Sequence, residues 1–158
     1  MSDAIARVQR FFAERGVAID VRTFATSTHT AQRAAEVLGT SVRHIVKSLV
    51  FEADGQPILV LCGGDRRVDT AKVAILCAAR QVRQASAACI KSVTGYSIGG
   101  VPPVAHATVL PALMDAALLT CETVYAAAGT AQTLFAIAPQ MLQALSGARV
   151  ADLAVSLP

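Results

Sequence analysis

Two β-rich runs on either side of Asp54-Gly55 restrict the fold of this chain more than any other feature. Lys47 to Phe51 and Ile58 to Leu61 are rich in branched and aromatic side chains. Asp-Gly favours the left-handed backbone of a two-residue turn, whose twist matches that of two paired strands. The pattern predicts an antiparallel hairpin, so the fold contains a sheet built on neighbouring strands.

Helical patterns and further short strands alternate along the rest of the chain. Apolar spacing, capping residues and glycine stops predict helices over 3–15 (capped by Ser2 or Asp3), 31–38, 70–79 (capped by Asp69), 86–93 and 139–147. Strands are expected over 19–24, 108–109, 118–119, 124–127 and 134–137. Because these elements follow no regular β-α-β period, we expect an α+β fold, with a mixed, largely antiparallel sheet flanked by helices.

The composition is that of one compact domain over residues 1–158. Hydrophobic residues make up 54% of the chain, yet no apolar run reaches the roughly 18 residues of a membrane span. The first residues do not follow the pattern of a secretory signal, so we expect a cytoplasmic protein without a membrane partner. Cys62, Cys77, Cys89 and Cys121 form no Cys-x-x-Cys pair and are expected to be reduced.

The positive charge is small and unevenly distributed. The formal net charge is +3, which excludes a protein that covers a long duplex but is compatible with binding one nucleic-acid terminus. Two interpretations of the basic residues in the middle third stay open, a phosphate-binding surface and an ordinary solvated face. These residues are Arg66, Arg67, Lys72, Arg80, Arg83 and Lys91.

Lys47 stands at the entrance of an otherwise apolar strand. A lysine in such a position can extend its ammonium to solvent along its own aliphatic chain. It can also hold a fixed ammonium in a cleft, where the charge would bind a phosphate or polarise an ester carbonyl. The spacing of His44, three residues earlier, does not decide between these interpretations.

The loop from Gly95 to Pro103 combines three glycines with two consecutive prolines. Glycine permits backbone conformations that proline forbids, so the loop has a shape too particular for a simple turn. Such a loop can present main-chain N–H groups to an anion or a carbonyl oxygen, or it can be a purely structural surface loop. It does not follow the Gly-x-Gly-x-x-Gly spacing of dinucleotide-binding loops.

Several hydrolase mechanisms are excluded by spacing. His29, His44 and His106 are too far apart in sequence for a zinc-hydrolase motif, and we expect neither a metal nor another cofactor. The chain also lacks a Gly-x-Ser-x-Gly nucleophile turn. Any ester hydrolysis is therefore expected to depend on a positioned water or on a hydroxyl of the substrate.

The order of several motifs resembles the YbaK / prolyl-tRNA synthetase-associated editing-domain family over nearly the whole chain. Those motifs are Thr30-Ala31, Ile45 to Phe51, Gly63 to Asp69, Thr94 to Pro103 and Ala128-Gly129. The resemblance implies a YbaK-type fold and deacylation in trans of mischarged tRNA, chiefly tRNA for proline. Its partner would be the tRNA acceptor end, and an aminoacyl-tRNA synthetase is left open as a second partner.

The resemblance also implies which residues form the site. Lys47 would be the catalytic residue, acting as an electrostatic and positioning group. The substrate-binding residues would be Thr30, Ser97, Gly99, Gly100, Val101, Pro102, Pro103 and Gly129. The attacking group would be water, assisted by the vicinal ribose hydroxyl.

Two departures from the family pattern bear on the substrate. Ala128 stands where many relatives have a second glycine, and Leu134 stands where relatives that act on cysteinyl-tRNA carry an acidic residue. The resemblance therefore favours removal of alanine or serine over cysteine. The alternative function is a tRNA-binding or synthetase-partner module of the same fold without turnover.

Overall fold

The computed structural model describes residues 3–158, which contain five α-helices. The helices are α1 (Asp3–Ala13), α2 (Ala31–Leu38), α3 (Thr70–Leu76), α4 (Ala87–Thr94) and α5 (Pro139–Ser146). All five predicted helices are present, with both ends of each within three residues of those expected. Asp3 is the first described residue of α1, and Ser2, the other predicted cap, lies outside the described residues.

Ten strands complete the described part of the chain. They are β1 (Arg22–Thr23), β2 (Val46–Ala53), β3 (Gln56–Gly63), β4 (Arg66–Val68), β5 (Val82–Gln84), β6 (Ala112–Asp115), β7 (Val124–Ala127), β8 (Thr133–Ile137), β9 (Arg149–Ala151) and β10 (Ala154–Ser156). β2 and β3 form the predicted hairpin around Asp54-Gly55, with Ala53 opposite Gln56. The predicted strand over 19–24 is reduced to the two residues of β1.

Two predicted strands are wrong. Thr108 and Val109 lie in a loop, where Thr108 N–H donates to the Val93 carbonyl of α4 and Val109 is 94% exposed. Leu118 and Leu119 belong to a 3-10 helix, Ala116–Thr120, because a short apolar run does not by itself distinguish a strand from a helical turn.

The sheets confirm the α+β class with mixed, largely antiparallel strands. The central sheet has the order β5-β2-β3-β6-β9, in which β5, β2 and β3 are antiparallel and β3, β6 and β9 are parallel. A three-stranded sheet, β1-β8-β7, and a two-stranded sheet, β10-β4, are both antiparallel.

The central sheet is covered on both faces. One face packs Val46 and Val50 of β2 with Phe12 of α1, Phe135 of β8 and Leu142 of α5. The other face packs against α3 and the C-terminal strands, in a cluster that contains Phe51, Cys62, Val73 and Leu153. The alternation of side chains along β2 therefore places neighbouring residues in different cores.

No helix within residues 3–158 is both long enough and apolar enough to cross a membrane. The four cysteines are unpaired, as expected, with Cys62 and Cys121 buried.

Candidate active site

A cavity of about 380 Å³ lies beside the first half of β2. β5 pairs only with residues 51–53 of β2, and α2 with its preceding segment, the glycine–proline loop and β7 and β8 enclose the space left beside residues 46–50. The lining residues are Thr28, His29, Thr30, Ala31, Ile45, Val46, Lys47, Ser48, Leu49, Val50, Phe51, Gln84, Ala85, Ile90, Ile98, Gly99, Val101, Ala127 and Leu134. We call residues 45–51 the strand wall and Ile98, Gly99 and Val101 the loop wall.

Main-chain groups of β2 face the cavity along the strand wall. The Val50 carbonyl accepts from Ala85 N–H at 3.1 Å, so it points away from β3. Ser48 lies two residues earlier. Because main-chain groups alternate in direction along a strand, the N–H and C=O of Ser48 point to the same side as the Val50 carbonyl, away from β3. The Ser48 hydroxyl is buried and has no hydrogen-bond partner among the described residues. The strand wall therefore places the main-chain groups of Ser48 on the side of the cavity and, beside them, a hydroxyl that can bind a further molecule.

Lys47 lines the cavity, and its ammonium donates to the main-chain carbonyl of Arg66. Within the described part of the chain it has no carboxylate within ion-pair distance. The side chain is half-buried and fixed by a hydrogen bond, so the interpretation of a lysine that extends freely to solvent does not describe it. The ammonium keeps its charge available beside the cavity.

The thiol opposite Lys47 is neutral. Cys62 pairs with Lys47 across β2 and β3, and burial raises the pKa of its thiol to about 11. A thiol with this pKa carries almost no thiolate at neutral pH, so Cys62 is neither a nucleophile nor a counter-ion for Lys47.

The loop wall is held by contacts between main chains. A Cβ atom on Gly100 would lie 2.7 Å from Thr130 Cα and 2.9 Å from Gly129 O, so only glycine allows this approach. Gly129 itself has φ +107° and faces the main chain of Ala4. The loops 97–103 and 128–130 therefore meet directly.

Side chains from outside the loop wall also fix it. His106 donates through Nε2 to the Pro102 carbonyl at 2.6 Å, and burial lowers the pKa of its ring. Tyr96 donates its hydroxyl to the Ala105 carbonyl at 2.8 Å, and the guanidinium of Arg7 lies over the Tyr96 ring. These contacts join the loop to α1 and to the segment that follows it.

The structure brings together only part of the predicted site. Lys47, Thr30, Gly99 and Val101 line the cavity, and the Thr30 hydroxyl also caps α2 by accepting from Arg33 N–H at 3.2 Å. The other predicted substrate-binding residues are not among the lining residues. These are Ser97, Gly100, Pro102, Pro103 and Gly129.

Ser97 and Gly100 form a turn that uses one of the expected donors. Gly100 N–H donates to the Ser97 carbonyl at 3.0 Å, so this amide is not available to a substrate. The main-chain donor for an oxyanion is therefore better placed on the strand wall, at Ser48, than at Gly100.

Sequence reasoning did not identify His29, Ser48 or Leu134 as cavity residues. His29 lies at the mouth, where its Nδ1 is 2.6 Å from Ser27 Oγ. Ser48 was recognisable as a hydroxyl inside an apolar strand, but its direction depends on where β5 ends. Leu134 was noted only as a departure from the family pattern, and it is a buried residue of the cavity wall.

Half of the basic residues of the middle third pair with carboxylates of the chain. Arg66 pairs with Asp115, Lys72 with Asp152 and Arg83 with Glu52. Three of the six charges are thus matched by carboxylates of the chain itself, which favours the interpretation of an ordinary solvated face.

Comparison with known proteins identifies the family. The model of the aminoacyl-tRNA editing domain matches residues 25–145. A solved structure provisionally described as a trans-editing enzyme for prolyl tRNA synthetase is 42% identical, with a TM-score of 0.92 and 99% of each chain covered. Another solved structure, of the hypothetical protein APE2540, is 32% identical, with a TM-score of 0.88, and covers 94% of this chain and 99% of that one.

Curated relatives are of two kinds. The uncharacterized protein YwhH of Bacillus subtilis (strain 168) is 31% identical over 93% of this chain and 94% of its own. The proline--tRNA ligase of Lactobacillus helveticus (strain DPC 4571) is 37% identical over 48% of this chain, and the match spans only 13% of the ligase. The predicted family resemblance and the predicted aminoacyl-tRNA editing function are confirmed by these matches. The chain belongs to the aminoacyl-tRNA editing domain family.

Proposed function

We propose that this chain acts in trans on tRNA for proline that carries a small wrong amino acid, and hydrolyses the ester bond between them. The observation that carries the proposal is the ammonium of Lys47 beside the cavity, held by a main-chain carbonyl and paired with no carboxylate among the described residues. The cavity falls within the range of about 300–1,000 Å³ typical of small-molecule sites. The chain also resembles a protein provisionally described as a trans-editing enzyme for prolyl tRNA synthetase, which supports proline tRNA as the substrate.

Lys47 acts in this proposal as an electrostatic group. When water adds to the ester carbonyl, negative charge develops on the carbonyl oxygen, and the ammonium stabilises it in surroundings that exclude most water. We assign to the N–H of Ser48 a donor role toward the same oxygen. The bond between the carbonyl carbon and the ribose oxygen then breaks, and the ribose oxygen takes up a proton that the attacking water gives up. The products are the free amino acid and tRNA with a free terminal hydroxyl.

The amino-acid side chain is proposed to lie against apolar residues. Ile45, Val50, Ile90, Ala127 and Leu134 line the cavity, and no described carboxylate does. This lining suits a small uncharged side chain such as that of alanine or serine. Discrimination by one methylene is worth only about 1–3 kcal/mol, so we expect preference among small residues rather than absolute selection.

The partners follow from this chemistry. The acceptor end of tRNA supplies the terminal ribose and its ester, and a synthetase that releases mischarged tRNA is the proposed second partner. The proposal assigns substrate contact to Thr30, Gly99 and Val101, and assigns the shaping of the loop wall to Gly100, Pro102, Pro103 and Gly129.

The test is a deacylation assay on proline tRNA charged separately with alanine, serine, threonine, cysteine and proline. We expect the alanyl or seryl ester to be cleaved fastest. We expect the Lys47→Ala variant to lose about a hundredfold or more in kcat. Lys91→Ala is the matched control, because Lys91 is exposed, lies outside the cavity and bonds only to the Gly95 carbonyl.

Three results would contradict parts of the proposal. If no ester is cleaved faster than in buffer, the chain is the non-catalytic tRNA-binding module instead. If Lys47→Ala equals the parent in kcat, the ammonium has no catalytic role. If cysteinyl ester is preferred, the apolar lining does not determine the substrate.

A further inference from the structure

Arg66 connects Lys47 to a carboxylate that lies outside the cavity. The Arg66 carbonyl accepts from the Lys47 ammonium, and the Arg66 side chain donates through Nε to Asp115 Oδ2 at 2.6 Å. Asp115 is 1% exposed and is not among the lining residues. One residue therefore supplies both the oxygen that holds Lys47 and the guanidinium that is anchored on a buried charge.

The register of the central sheet explains how these groups come together. Lys47 is opposite Cys62, and Leu61 is beside Met114, so Cys62 is beside Asp115 in the next strand. Neighbours in such a row project to the same face of the sheet. Arg66 lies in β4 and reaches Asp115 with its side chain. Lys47, Arg66 and Asp115 therefore form one connected group of charged residues.

The side chain of Arg66 adds contacts that help to hold its main chain. β4 and β10 are three residues each, and main-chain bonds from Leu157 to Asp65 and from Asp69 to Leu153 extend their pairing at both ends. A two-stranded ladder is only marginally stable by itself. The guanidinium adds the bond to Asp115 and a bond from Nη2 to the Ala154 carbonyl at 3.0 Å. A charge-assisted bond to a buried carboxylate is the strongest of these contacts.

The arrangement fixes Lys47 without neutralising it. Asp115 is paired with Arg66, and the side-chain hydrogen bond between them raises the pKa of Arg66. Asp152, a second carboxylate near Arg66, is 4.0 Å away and 72% exposed, so it is screened by solvent. The neighbouring Asp65 also acts electrostatically on Arg66. Lys47 receives a neutral carbonyl as its partner, and its charge stays available to an ester.

We propose that Asp115 is a positioning residue that acts through Arg66 to hold the Lys47 ammonium at the cavity. The kinetic consequence rests on the proposed function, whereas the effect on Lys47 itself does not. Removing the carboxylate charge releases the guanidinium, lets the Arg66 carbonyl move and so frees the ammonium.

The experiment uses Asp115→Asn, with Asp152→Asn as the matched control. The chain has three lysines, Lys47, Lys72 and Lys91. Protein labelled with ¹³C-lysine therefore gives three Cε signals, which Lys72→Arg and Lys91→Arg assign. In Asp115→Asn we expect the Lys47 signal to move to the position of an exposed lysine. We expect kcat to fall about ten- to a hundredfold with KM within about twofold, because a small misplacement of a catalytic group has this effect.

Asp152→Asn is expected to leave both the Lys47 signal and kcat unchanged. The fold of each variant is checked by circular dichroism. If Asp115→Asn does not fold, Arg66→Lys keeps the cation but loses the Nε donor, and the same movement of the Lys47 signal is expected.

An unchanged Lys47 signal in a folded variant overturns the proposal, whatever happens to kcat. A moved signal with unchanged kcat overturns its kinetic part. If the signal moves but the parent protein hydrolyses no ester, the proposed function is wrong and the positioning of Lys47 by Asp115 is supported.

Discussion

The two walls of the cavity differ in the interactions that hold their residues, which are charged for one wall and neutral for the other. The strand wall belongs to the central sheet, and its Lys47 ammonium donates to Arg66, whose side chain pairs with Asp115, far away in sequence. The loop wall depends on neutral contacts, in which glycines let main chains approach and carbonyls accept from nearby side chains. The difference indicates that the strand wall is tuned for charge and the loop wall for shape.

The largest loss of stability is expected at Gly100, where the neighbouring main chain cannot move aside. Gly100→Ala places a Cβ against the main chain of Thr130 and Gly129, which cannot move aside as a side chain can. We expect a loss of about 2–3 kcal/mol in the free energy of unfolding, typical of overpacking, together with a higher KM. Urea unfolding and deacylation kinetics measure the two effects.

Gly39→Ala is the control for Gly100→Ala. Gly39 has φ +68° but open space around it, so alanine there brings backbone strain of about 1–2 kcal/mol without a clash and without a change in KM. Equal losses of stability at the two positions would show that the loops 97–103 and 128–130 are not closely packed.

A smaller loss of stability is expected at Thr30, where a comparison of two variants distinguishes helix capping from substrate contact. Thr30 and Ser86 each cap a helix of eight residues by accepting one main-chain N–H, but only Thr30 lines the cavity. Thr30→Ala and Ser86→Ala should each cost about 1 kcal/mol in the free energy of unfolding. Single-turnover assays should show a loss of activity for Thr30→Ala alone, and equal activities would limit Thr30 to capping.

The smallest effect is a dependence of stability on pH through His106. Burial holds the pKa of its ring below the ordinary 6.5, so the unfolded chain binds a proton before the folded chain does. The free energy of unfolding should therefore decrease as the pH falls through 6.5 and level off below the folded pKa. His106→Gln keeps an N–H donor and should flatten this dependence in thermal unfolding at pH 5 to 7. An unchanged profile would assign the pH dependence to other groups.

The hairpin and the helices were predictable because their signals are local. Asp54-Gly55 fixes a turn through its own backbone preferences, and Thr30, Asp69 and Ser86 cap helices within three residues. β9 and β10 were not predicted, since three-residue strands are defined by their partners β6 and β4 rather than by their own sequence. The expected strand at Thr108-Val109 failed for the same reason, because main-chain bonds to α4 replace a sheet partner there.

The site was predictable only where one residue stands out against its neighbours. Lys47 is a charge in an apolar strand, and the loop from Gly95 to Pro103 has an unusual composition. Both features are therefore visible in the sequence as candidates for the site. Asp115 was an equally isolated charge at the end of the apolar strand β6, but its partner Arg66 lies 49 residues away in sequence. Whether a buried charge contacts a residue far away in sequence depends on the order of the strands in the sheet. Residue spacing alone does not predict that order.

The edge of β2 beside Ser48 also has a consequence for aggregation. An exposed strand edge is a template for another chain and a common start of aggregation. Here Thr30, Ala31, Ile98 and Gly99 line the space beside Ser48, so this edge lies inside a cavity and not on the open surface. We therefore expect this edge to pair less readily with another copy of the chain than an edge strand on the surface would.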